Sequence, residues 1–84
     1  MMFDLREPIY QWGERVIAAV DLVNDGSYPG VPEDAVLAAT GTPGEIVNVG
    51  HHGDSNTPVY LVEFLTQAGD LVVVGCLEEE LVRP

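Results

Sequence analysis

Two adjacent histidines, His51 and His52, stand just before Asp54, and a single cysteine, Cys76, lies well downstream. Imidazole, carboxylate and thiolate are the ligands that zinc and iron take. The spacing is poor for a metal, because neighbouring side chains on extended backbone point to opposite sides. A zinc site also needs three or four converging protein ligands. His51 and His52 are therefore expected to be solvated loop residues, and no metal or other cofactor is expected. Cys76 follows Gly75 at the end of an apolar run and is expected to be a buried small hydrophobe. No basic neighbour lowers its pKa, and Glu78, Glu79 and Glu80 raise it.

Nucleophile and phosphate chemistry find no better support. The only serines, Ser27 and Ser55, lie outside any Gly-x-Ser-x-Gly elbow. Lysine is absent, which excludes a Walker-type phosphate site, a Schiff-base lysine and a polybasic membrane patch. Paired carboxylates for general acid/base work need a concave pocket, which so short a chain rarely builds. The acidic groups read instead as a solvated surface suited to a basic partner face. The expectation is a protein that is not an enzyme.

The densest loop sequence is Asn24-Asp25-Gly26-Ser27-Tyr28-Pro29-Gly30. Its glycines can take positive φ and its Asx side chains can hold a turn. Read for function, it presents Tyr28 as a rigid aromatic anchor, the residue type enriched at binding hot spots. Asn24, Asp25, Gly26, Tyr28, Pro29 and Gly30 are therefore candidate partner-binding residues. Glu78, Glu79 and Glu80 join them as an acidic turn that would steer a basic partner.

Charge narrows the partner class. Fourteen acidic side chains against three basic ones leave a formal net charge of −11 over 84 residues. Such a chain is repelled by phosphate backbones, so nucleic acid is excluded. A lone cysteine allows no intrachain disulfide, which suits a reducing compartment. Residues 1–12 carry Asp4, Arg6 and Glu7 and have no apolar signal region. The longest apolar runs, 16–20 and 71–77, are far short of the ~18 residues a membrane span needs. A cytoplasmic protein with no membrane association is expected.

The elements that must position these residues read as strands. Residues 15–24 are apolar and β-branched and end at an Asn-Asp-Gly turn. A shorter strand at 45–49 follows Gly41-Thr42-Pro43-Gly44. Residues 59–66 put Tyr60, Val62 and Phe64 on one face, with neither face plainly wet. Residues 71–77 form a nearly continuous apolar run, expected to be buried on much of both faces. Gln67-Ala68-Gly69-Asp70 between them makes a hairpin loop, and residues 50–58 make a longer one.

For residues 33–40 a short helix, a strand and an irregular arm all stay open. Residues 78–81 read as a single helical or 3₁₀ turn plugging the fold with Leu81. The expected core includes Val16, Val20, Ile46, Val62, Phe64, Val72 and Val74. Short strands with Gly/Pro turns imply a small all-β barrel or sandwich.

Five motifs follow one another along the chain: Trp12-Gly13-Glu14-Arg15-Val16, the 24–30 loop, Gly41-x-x-Gly44-x-Ile46-Val47-Asn48-Val49-Gly50, Val59-Tyr60-x-Val62-x-Phe64, and Val74-Gly75-Cys76-x-Glu78-Glu79-Glu80-Leu81. Together they resemble the NifZ family of nitrogen-fixation accessory proteins. The resemblance implies a single SH3-like antiparallel β-barrel of about five strands, with 1–11 as an N-terminal arm and 12–82 as the family-like core. It favours an extended arm for 33–40. It implies a non-enzymatic, chaperone-like role in nitrogenase assembly. The partner would be the apo or immature molybdenum–iron protein during maturation of its P-cluster. The sequence departs from the family pattern in its Ala-rich 33–40 segment, which lacks basic residues, and in its Gly50-His51-His52-Gly53 insertion. A different class is an SH3-like subunit of an iron–sulfur redox enzyme, resembling the ferredoxin–thioredoxin reductase variable chain. A metal carrier using His51, His52 and Cys76 is a third.

Overall fold

A computed structural model describes residues 8–26, 28–52, 57–66 and 69–84. Seven strands follow in chain order: β1 (Arg15–Ala18), β2 (Leu22–Val23), β3 (Val36–Ala38), β4 (Pro43–His52), β5 (Thr57–Leu65), β6 (Leu71–Cys76) and β7 (Leu81–Val82). A 3₁₀ turn, Glu78–Glu80, stands between β6 and β7. Five strands make one antiparallel sheet in the order β6-β5-β4-β1-β7, and β2 with β3 makes a second. The large sheet curls into a half-barrel, as the strand-rich sequence implies.

The curl has an identifiable cause in β4. Ile46 lies opposite Val62, but Asn48 lies opposite Leu61, so Val47 is an extra residue with no partner. Such a bulge bends the strand and raises its twist. It also shifts the alternation of faces. Ile46 and Val49 both come to the concave side, opposite Val62 and Tyr60, while Asn48 turns outward. A second irregularity leaves Leu37 extra between β3 and β2.

The core is Tyr10, Val16, Ala18, Leu22, Ala38, Ile46, Tyr60, Val62, Phe64, Val74, Cys76 and Leu81. Val72 packs against it from a half-buried position. Fully burying each large apolar side chain stabilises by about 1.5–3 kcal/mol. Gly44 is required by this packing. A Cβ there would lie 2.7 Å from the Phe64 ring, 2.7 Å from a Val62 methyl and 2.9 Å from the Glu63 carbonyl oxygen.

Several expectations need correction. Residues 15–24 are not one strand, because the hydrogen-bond partners change at Ala18-Ala19. Ala18 exchanges bonds with Gly41 and Thr42, Ala19 donates to Glu80, and the chain then bends to pair with 34–40. Val20 falls on that bend and is 43% exposed, so it is not a core residue. β6 is buried on one face only: Val74 and Cys76 point inward, while Leu71 and Val73 are exposed. The 45–49 strand extends to 43–52, and His51 and His52 are strand residues rather than loop residues. Of the expected 50–58 loop, 50–52 and 57–58 are strand, and Asp54 lies outside the described residues. Of the forms left open for residues 33–40, the strand is found at Val36–Ala38, preceded by a turn in which Asp34 takes φ of +69°. Tyr10, which the expected core did not include, belongs to the core.

Candidate docking surface

The 24–30 loop is organised by one buried side chain. Asn24 is 1% exposed. Its Nδ2 lies within hydrogen-bonding distance of the carbonyls of Tyr28, Val31 and Pro32, at 3.1, 2.9 and 3.2 Å. Its Oδ1 accepts from the amides of Gly26 at 3.1 Å and Tyr28 at 3.0 Å. An Asx side chain placed before a turn does this because it mimics a backbone group. The backbone of Asn24 continues the β2–β3 ladder, donating to Ala35 and accepting from Asp34. Gly26 and Gly30 take φ of +100° and +79°, a region in which L side chains are strained. Asn24 is thus the loop's internal scaffold. Asp25, Gly26, Pro29 and Gly30 are on its exposed side, with Tyr28 half-buried and fixed through its backbone at both N and O.

The acidic turn is tied to a tyrosine cluster. Tyr60 is fully buried, and its hydroxyl donates to Glu78 Oε2 at 2.7 Å while accepting from the Ile9 amide at 3.0 Å. Burial, reinforced by the Glu78 carboxylate, pushes the Tyr60 phenol above its ordinary pKa of 10.0. Tyr10 packs edge-on against Tyr60 with ring centroids 5.3 Å apart, and its hydroxyl donates to the Leu81 carbonyl. Arg83 lies 4.8 Å over the Tyr10 ring, donates to Ile9 O, and pairs with Glu14 at 2.7 Å. The Gln11 amide, then Arg83, hold Glu14 below the usual carboxylate range.

Glu80 accepts from the Leu77 amide at 2.8 Å, closing the 3₁₀ turn. Of the three acids, Glu79 alone is fully on the outside, so the turn does structural work that its charge did not announce.

Cys76 is buried as expected, and its thiol is pushed up to about 12, chiefly by burial and secondarily by Glu80. His51 is exposed near the end of β4, opposite Pro58 of β5, whereas Cys76 lies opposite Tyr60. No group of three His, Cys, Asp or Glu side chains among the described residues converges as a metal ion requires. No helix among the described residues is long and apolar enough to cross a membrane.

Two surface features carried no site assignment in the sequence. Trp12 is 75% exposed beside Gly13, which holds the turn with φ of +87°. The second is an open groove of about 600 Å³ between β3 and the start of β6, lined by Val31, Val36, Leu37, Leu65, Val72 and Asp70 among others. Val31 joins this groove to the 24–30 loop.

The NifZ domain model matches residues 7–83, nearly the whole chain. The chain belongs to the NifZ family. Among its relatives, the Protein NifZ of Azotobacter chroococcum mcd 1 is 35% identical over 75 residues, and that of Azotobacter vinelandii is 33% identical over 75. Each match covers 89% of this chain but 45% of the relative. The chain thus spans less than half the length of these NifZ proteins. No solved structure gives a significant match.

Proposed function

We propose that this NifZ-family domain is a non-enzymatic accessory module of nitrogen fixation that docks on the immature molybdenum–iron protein of nitrogenase and assists maturation of its P-cluster. Family membership over residues 7–83 supports the process. The observation that carries the docking mode is the set of five Asn24 contacts that ties Gly26, Tyr28, Val31 and Pro32 together. A preorganised loop loses little entropy on binding, so its aromatic anchor contributes more of its contact energy to affinity. Tyr28 is that anchor, with Pro29 and Gly30 beside it. The acidic turn raises the on-rate toward a basic client surface, with Glu79 the acid freest to do so. The chain works in the cytoplasm and holds no cofactor of its own.

The test is the affinity of Tyr28→Ala for the apo molybdenum–iron protein, measured with its melting temperature. Truncating a central aromatic costs about 2 kcal/mol, roughly 30-fold in affinity. Unchanged affinity in a folded variant would place the docking face elsewhere.

A further inference from the structure

β6 is the edge of the large sheet, and its hydrogen-bonding phase is readable from the hairpin. The Thr66 amide donates to Asp70 O at 2.9 Å, so Thr66 and Asp70 form a hydrogen-bonded pair. Pairs alternate along an antiparallel ladder. Phe64–Val72, Val62–Val74 and Tyr60–Cys76 are therefore hydrogen-bonded, and Leu65–Leu71, Glu63–Val73 and Leu61–Gly75 are not. The N–H and C=O groups of Leu71, Val73 and Gly75 consequently point away from β5. Across that edge lie the groove and β3, which pairs with β2 and not with β6.

Natural proteins blunt exposed edges with lysine, proline, inward charges or bulges. β6 reads Leu-Val-Val-Val-Gly-Cys and carries none of these devices, nor does its register with β5 break. Leu71 is 60% exposed and Val73 41%. An apolar, regular, six-residue edge is a template for another strand.

Charge decides whose strand. A second copy would bring another −11 to the contact and is repelled. The edge is bracketed by exposed acids, Asp70 immediately before it and Glu79 just beyond it. We infer that β6 binds an extended, β-branched segment of another protein, flanked by Lys or Arg, as a strand added along its outward edge. The segment's backbone pairs with the outward groups of Leu71, Val73 and Gly75, and its cationic flanks meet Asp70 and Glu79. This goes beyond the docking role of Tyr28 and does not depend on which client is bound.

The experiment is selection of a displayed random twelve-residue peptide library against the intact chain at low salt, followed by hydrogen exchange with the enriched peptides. The expected peptides alternate β-branched residues between basic flanks and slow the amides of Leu71, Val73 and Gly75. N-methylation at alternate peptide positions should weaken binding at least about tenfold in one phase only, since one phase faces β6. Val73→Pro, which removes an outward N–H and no ladder bond, should weaken it similarly. Tyr28→Ala should leave peptide binding unchanged, which separates this inference from the docking proposal. No enrichment, protection mapping to another surface, N-methyl peptides that bind equally in both phases, or a homodimer that protects the same amides would each overturn it. The N-methyl arm keeps the test decisive if Val73→Pro does not fold.

Discussion

Replacing Gly44 by alanine tests the packing that closes the half-barrel. The added Cβ meets three atoms at 2.7, 2.7 and 2.9 Å, all closer than real Cβ contacts allow. Two belong to Phe64 and Val62, both with no exposed surface into which to retreat, and the third is a backbone carbonyl in β5. Overpacking of a tight core costs about 1–3 kcal/mol, and a backbone obstacle places this site toward the top of that range. A loss of about 2–3 kcal/mol corresponds to a fall in melting temperature of roughly 10–20 °C for a domain of this size. Urea denaturation followed by far-UV circular dichroism measures it; Trp12 fluorescence is a poor reporter because the indole is already in water. Gly50→Ala is the internal control, since a Cβ there meets nothing within 4 Å, and its effect should stay within about 0.5 kcal/mol. Combining Gly44→Ala with Phe64→Leu should cost less than the two changes summed, by at least about 0.5 kcal/mol, because the second vacates space the first needs. Equal stability of the Gly44→Ala and Gly50→Ala proteins, or strict additivity in the cycle, would refute the account.

Three further outcomes follow from the same contacts. Asn24→Ala should destabilise by about 2 kcal/mol and speed exchange of the Gly26 and Tyr28 amides, because buried groups lose their partner; Asn24→Asp should not rescue it, since a carboxylate cannot donate to the Tyr28, Val31 and Pro32 carbonyls. Tyr60→Phe should cost about 1–2 kcal/mol in urea and accelerate exchange at Ile9, whose amide the hydroxyl accepts. The folded Cys76 thiol is raised to about 12 from an ordinary 9.0, so its contribution is whole below about pH 9 and is lost as pH rises toward 12. Cys76→Ala should therefore show a smaller drop in urea midpoint between pH 8 and pH 10.5 than the parent, and the native thiol should resist alkylation at pH 8.

The parts of the fold legible in the sequence were those set by residue type within one strand. The alternation of Tyr60, Val62 and Phe64 marks the inner face of β5, and acidic residues before Leu81 mark the 3₁₀ turn. The burial of Cys76 follows from its small apolar character. What stayed hidden depends on partners distant in the chain. Val47 and Val49 look equivalent beside Ile46, and only the register with β5 shows that Val47 is the bulge. Val20 continues the apolar run of β1, yet Ala18 and Ala19 exhaust their partners and turn it outward. At the candidate site the sequence located the loop and its aromatic, but Asn24 as scaffold required the three carbonyls that converge on it. The edge of β6 was hidden for a related reason: an apolar run implies burial, whereas a strand with neighbours on one side exposes half of it.

The bulge at Val47 also divides β4 by what it can tolerate. Before it, residues 43–46 are held between β1 and β5; after it, β6 still backs β5 as far as the Val49–Tyr60 pair, and only 50–52 with 57–59 form a two-stranded ribbon. A two-stranded ribbon is marginal by itself and opens at lower free energy than the sheet that anchors it. Changes in length at 53–56 are therefore felt by the ribbon and not by the core, and each doubling of such a connection costs only about 0.6 kcal/mol of closure entropy. The hairpin end is where this architecture can lengthen in evolution, or accept an inserted reporter in the laboratory, with the half-barrel left to fold as before.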